Sequence, residues 1–106
     1  MCTVLALSQD NKYMSAGTRR GTIKIYEVED LLDDVYLKNI TIHGDKIIDI
    51  GFITQENDTL QCSIGMEAYF CVYSLKELKQ IYKINIGSFP SQMLVLQNKF
   101  VVFSTK

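Results

Sequence analysis

Between residues 13 and 27 the chain runs YMSAGT, turns through Arg19-Arg20-Gly21, and resumes as TIKIYE. The same succession then returns downstream. Ile23-Lys24-Ile25-Tyr26 is matched 47 positions on (23 to 70) by Phe70-Cys71-Val72-Tyr73, and Asn11-Lys12-Tyr13-Met14 is matched 87 positions on (11 to 98) by Asn98-Lys99-Phe100-Val101. A recurring hairpin constrains the fold strongly. Each repeat is one small antiparallel unit that can bury its apolar face only against a neighbouring copy.

Period-two alternation between the turns predicts ten short strands. The first four are Thr3–Ser8, Tyr13–Thr18, Thr22–Val28 and Leu37–Ile42. The next four are Lys46–Ile53, Leu60–Gly65, Tyr69–Leu75 and Gln80–Ile86, and a last pair covers Gln92–Leu96 and Phe100–Thr105. Asp10 and Asn11 suit a turn, because short polar side chains bond to their own backbone and tolerate left-handed geometry. Glu27–Asp34 is acidic and allows one helical turn through Leu31 and Leu32. The chain therefore reads as all-β. Four short strands per ~40–45 residues is the pattern of β-propeller blades. An antiparallel sandwich of ten strands is the alternative, although a sandwich does not demand register between its halves.

The residues around these hairpins resemble the WD-repeat family of β-propellers. Ser8–Gly17 resembles the family's Ser-Pro-Asp-Gly-Lys stretch running into its second strand, and Thr18–Glu27 resembles the hairpin that ends in Trp-Asp, with Tyr26 and Glu27 in those places. His43-Gly44-Asp45-Lys46-Ile47 resembles the His-x-Asp-x-Val segment leading into an innermost strand. The resemblance implies antiparallel four-stranded blades: one over about 3–42, a second over about 46–87, and the first hairpin of a third over about 92–105. It also implies a buried network of His, Ser or Thr, Asp and Trp, which maps in the second blade onto His43, Ser63, Glu67 and Tyr73. The first blade has Ala16 and Arg20 at the Ser and Asp places, so its network should be missing. The chain contains no Trp, and Tyr26 and Tyr73 stand in that position.

Propellers close with 4–8 blades. Two and a half blades make an incomplete ring, so the expectation is a fragment, or a chain that needs further blades from itself or from another protein.

Composition narrows the chemistry. With 47% hydrophobic and 22% charged residues and a net charge of −1, the chain is globular and lacks the basic excess of a nucleic-acid binder. Neither a transmembrane segment nor a signal peptide is legible, and the odd count of Cys2, Cys62 and Cys71 suits a reducing, cytoplasmic setting. His43, Asp45 and a serine could be imagined as a hydrolytic triad, but no nucleophile elbow accompanies them. One His and three scattered Cys give no metal-ligand spacing, and no glycine-rich phosphate loop precedes a helix. The expectation is no catalysis, cofactor or metal.

Charge is nevertheless uneven. Residues 1–26 carry four cations against one carboxylate, whereas residues 27–34 carry five carboxylates. Arg19 and Arg20, with Asp45 nearby, are the candidate contacts for a protein partner, since arginines suit bidentate oxyanion recognition. The reading is a non-catalytic interaction scaffold. The alternative is a propeller with a small-molecule or catalytic site in its central channel, for which the innermost segments Val4–Leu7, Ile47–Ile50 and Met93–Leu96 offer only Asp49 as a polar group.

Overall fold

The computed structural model describes residues 2–33, 36–55, 57–87, 90–96 and 99–104. The first sheet runs in sequence order through β1 (Cys2–Leu7), β2 (Tyr13–Thr18), β3 (Thr22–Glu27) and β4 (Lys38–Thr41). The second contains β5 (Ile47–Thr54), β6 (Thr59–Gly65), β7 (Tyr69–Ser74) and β8 (Lys79–Asn85), and the hairpin β9 (Pro90–Leu96) with β10 (Lys99–Ser104) forms the third. Every pairing is antiparallel.

The repeat extends to irregularities. The register slips between Cys2 and Val4 in β1 and between Ile47 and Asp49 in β5, which places one extra residue near the start of each sheet's first strand. Gly17 opposite Ile23 answers to Ile64 opposite Phe70, so Ala16 occupies in the first sheet the place of Ser63 in the second.

Most strand ends differ from the sequence reading by one or two residues. Val28 is not the last residue of β3 but the first of a 3₁₀ helix, Val28–Asp33, and its amide bonds back to the Lys12 carbonyl at 2.8 Å. That bond continues the β2–β3 pairing one position beyond Tyr13 opposite Glu27, and the chain leaves the sheet after it. The fourth strand is shorter than Leu37–Ile42, although the Ile42 amide still donates to the Gly21 carbonyl at 3.1 Å, one position beyond Thr22 opposite Thr41.

Alternation sends each strand's side chains to two different neighbours. From β5, Ile50 and Phe52 pack with Ile23 and Ile25 of the first sheet, while Ile53 joins Cys62, Ile64 and Met93 on the side of the third. From β7, Cys71 and Tyr73 face the first sheet, and Phe70 and Val72 face the hairpin. Burial on both sides explains why YFCVY reads as a continuous apolar run. Each such side chain contributes ~1.5–3 kcal/mol relative to its exposed state. The outer flanks are uncovered: Leu5 and Leu7, which alternate with the packed Val4 and Ala6, are 64% and 54% exposed, and Tyr82 and Ile84 of β8 are 53% and 44% exposed.

Candidate interaction face and the histidine bridge

His43 lies in the connection between the first two sheets, and its backbone and ring answer to different sheets. The amides of Ile42 and His43 both donate to the carbonyl of Gly21, at 3.1 Å each. Gly21 has φ of 85°, and a Cβ there would stand 1.9 Å from the His43 carbonyl oxygen, so only glycine permits this grip. The imidazole turns into the second sheet. Nδ1 donates to Glu67 Oε2 at 2.6 Å, and Nε2 accepts from the Ser63 hydroxyl at 2.8 Å. An ionised carboxylate only accepts, which fixes the proton on Nδ1 and leaves Nε2 free to accept. Burial pushes the imidazole pKa below its ordinary 6.5, against the opposing pull of Glu67.

Three of the four residues mapped onto this network are thus in hydrogen-bond contact. Tyr73 is different. It is buried in the apolar core, but its hydroxyl has no hydrogen-bond partner, and burial raises its pKa. The ring fills space where the hydroxyl finds nothing to bond.

Several contacts carry no sequence signature. Gly65 lies beneath the His43–Glu67 pair, where an added Cβ would stand 2.1 Å from Glu67 Oε1 and 2.6 Å from His43 Nδ1. Ser15 of β2 donates to Gln61 Oε1 of β6, joining the two sheets through a fully buried polar pair, while Gln61 Nε2 is left without a partner. Asp49 accepts the Ile50 amide at 2.9 Å through Oδ1 and the Met93 amide at 2.9 Å through Oδ2. The carboxylate weighed above as a channel group is therefore committed to backbone amides of β5 and β9.

Backbone contacts place the β2–β3 turn, residues 42–46 and the β6–β7 turn at one end of the sheets. Met66 donates to the Lys46 carbonyl at 2.8 Å and Ile86 to that of Ala68 at 2.9 Å. Residues 88 and 89, between β8 and β9, lie outside the described residues, and Pro90 and Ser91 belong to β9. Arg19 and Arg20 are exposed at this end and, among the described residues, form no ion pair. Asp45 is exposed at the same end, its carbonyl close to Gly21, with Oδ1 accepting from the Lys46 amide at 2.7 Å. A cavity of about 360 Å³ is lined by Thr18, Arg19, Arg20 and Thr22. At the opposite end a larger groove, about 430 Å³, runs between the sheets, with Asp10, Lys12, Thr54, Asn57, Asp58 and Lys76 among its lining residues.

Among the described residues, no group of three or more His, Cys, Asp or Glu is placed to hold a metal ion, and no helix is long and apolar enough to cross a membrane. Cys62 and Cys71 are buried, which pushes their thiols up to about 12 and about 11. Such thiols are inert at neutral pH.

No protein-family model and no curated protein matches the sequence. Solved structures do. A structure of U3-55K aligns at 20% identity and a TM-score of 0.72, over 87% of this chain and 27% of that one. The β-propeller domain of Myceliophteria thermophila Cps50 (Swd1) aligns at 12% identity and a TM-score of 0.77, over 95% of this chain and 30% of that one. A chain of the mitotic checkpoint complex aligns at 13% identity and a TM-score of 0.73, covering 89% and 28%. The likeness shows the fold: WD-repeat-like propeller blades, in a chain that spans under a third of each of these three and does not close a ring.

Proposed function

We propose that this chain, two and a half blades of WD-repeat-like propeller, is part of a non-catalytic scaffold that docks a cytoplasmic protein partner through the turn carrying Arg19 and Arg20. Further blades, from the same polypeptide or another, cover its Leu5–Leu7 and Tyr82–Ile84 flanks. One observation carries the reading. The β6–β7 turn points Glu67 inward to hold His43, while the equivalent β2–β3 turn has Arg20 there and Ala16 in place of Ser63. With no carboxylate or hydroxyl spent inward, that turn presents to solvent two guanidinium groups that form no ion pair among the described residues. Charged faces of this kind steer association and set partner choice. Asp49, the carboxylate of the channel alternative, bonds backbone amides, which favours the scaffold over channel chemistry.

The test is affinity capture from source cells with Arg19→Glu combined with Arg20→Glu. Loss of the partner with the histidine bridge intact supports the reading. Undiminished capture at matched abundance removes these residues from the interface.

A further inference from the structure

We propose that the Thr18–Thr22 turn is a receptor for a single oxyanion, a phosphoryl or carboxylate group on a side chain of the protein partner. The inference rests on the docking reading above and names the chemistry of that contact.

The turn is set before anything binds. Thr18 Oγ1 lies 2.6 Å from Thr22 Oγ1 and accepts the amides of Arg20 and Thr22, both at 3.3 Å. The Gly21 amide donates to the Thr18 carbonyl at 3.4 Å, and the Gly21 carbonyl is clamped by the Ile42 and His43 amides. One threonine side chain thus organises the whole turn, and the start of the next blade pins its far end. A preorganised loop loses little ordering entropy on binding.

What this frame presents is donor-rich. Arg19 and Arg20 contribute fork-shaped donors that match the oxygens of a carboxylate or phosphate two at a time, and among the described residues neither is neutralised. Asp45, at the same end of the sheets, turns Oδ1 to its neighbour's amide. The cavity between the arginines and threonines, about 360 Å³, accommodates one such group with its stem, not an extended apolar segment. Lysines in these places would supply the charge but not the planar fork.

The experiment measures binding of three fluorescent heptapeptides, identical except for a central phosphoserine, glutamate or serine, to the assembled protein isolated from its cells. Wild type should bind the phosphoserine peptide, the glutamate peptide, or both, and not the serine peptide. Phosphoserine alone identifies a modified partner, and equal binding of both identifies an acidic one. Arg19→Lys with Arg20→Lys should weaken binding by roughly tenfold or more, the loss of a charge-assisted hydrogen bond. If the lysine pair binds peptide and captures partner like wild type, the face docks by net charge and the oxyanion receptor is overturned while the scaffold survives. If Arg19→Glu with Arg20→Glu also captures normally, both readings fail. Release of captured material by ribonuclease rather than phosphatase overturns the inference in favour of nucleic acid.

Discussion

A methyl group on Gly65 would stand 2.6 Å from His43 Nδ1, inside the space the imidazole and the Glu67 carboxylate already fill. The ring cannot retreat, because the Ser63 hydroxyl holds its other nitrogen and the Gly21 carbonyl holds its backbone. Gly65→Ala should therefore destabilise the protein by roughly 1–3 kcal/mol, the cost of overpacking a filled site. Gly44→Ala, where an added Cβ meets nothing within 4 Å, is the control and should be near neutral. Equal denaturation midpoints for the two variants would show that the bridge yields at no cost.

The bridge also separates two kinds of buried polar residue. His43→Ala strands the Ser63 hydroxyl and the Glu67 carboxylate and should cost roughly 1–3 kcal/mol. Tyr73→Phe removes a hydroxyl that is buried without a partner. Folding no longer has to desolvate that group, so the substitution should be neutral or stabilising by up to about 1 kcal/mol. A loss comparable to that of His43→Ala would place the phenol in the network after all.

Ser15 and Gln61 form a second test of coupling between blades. Removing one partner leaves the other buried and unsatisfied, so Ser15→Ala should cost roughly 1–3 kcal/mol. Adding Gln61→Met, of similar length and without the amide, should recover part of that loss, because no polar atom then remains stranded. Additive losses in urea melts of the single and double variants would mean the pair does not interact.

The sequence made the blades legible because their signals are local. Alternation, the hairpin residues and the acidic 3₁₀ turn each declare themselves within a few positions, and ten strands appear with ends shifted by one or two residues. His43, Ser63 and Glu67 were found through a motif resemblance, since Ser63 and Glu67 lie 20 and 24 residues from His43 and nothing in periodicity joins them to it. Gly65 and the Ser15–Gln61 pair stayed hidden for a different reason. A glycine at a strand end looks like any turn glycine, and a polar residue on an alternating strand looks solvated until a neighbouring sheet covers it. Tyr73 shows the reverse: the resemblance implied a member of the hydrogen-bonded network, but its hydroxyl is buried without a hydrogen-bond partner.

Burial of ionisable groups predicts a stability plateau with two falling arms. On the acid side the unfolded imidazole takes up a proton near 6.5, while folding holds His43 lower. The unfolded chain therefore binds more protons as pH falls through 6.5, and stability drops below that point and is fully present above it. On the alkaline side the thiols of Cys62 and Cys71 ionise near 9.0 when unfolded but at about 12 and about 11 when folded. Above pH 9 the unfolded chain loses protons first, so stability declines again, by about 1.4 kcal/mol per thiol for each pH unit. Urea denaturation from pH 5 to 10.5 should show both arms. Cys62→Ala lowers the plateau through its cavity but should also flatten the alkaline arm, and it is the slope that tests the thiol. An alkaline slope unchanged in that variant would mean the thiol ionises with equal ease folded and unfolded, which its burial between β6 and the third-blade hairpin opposes.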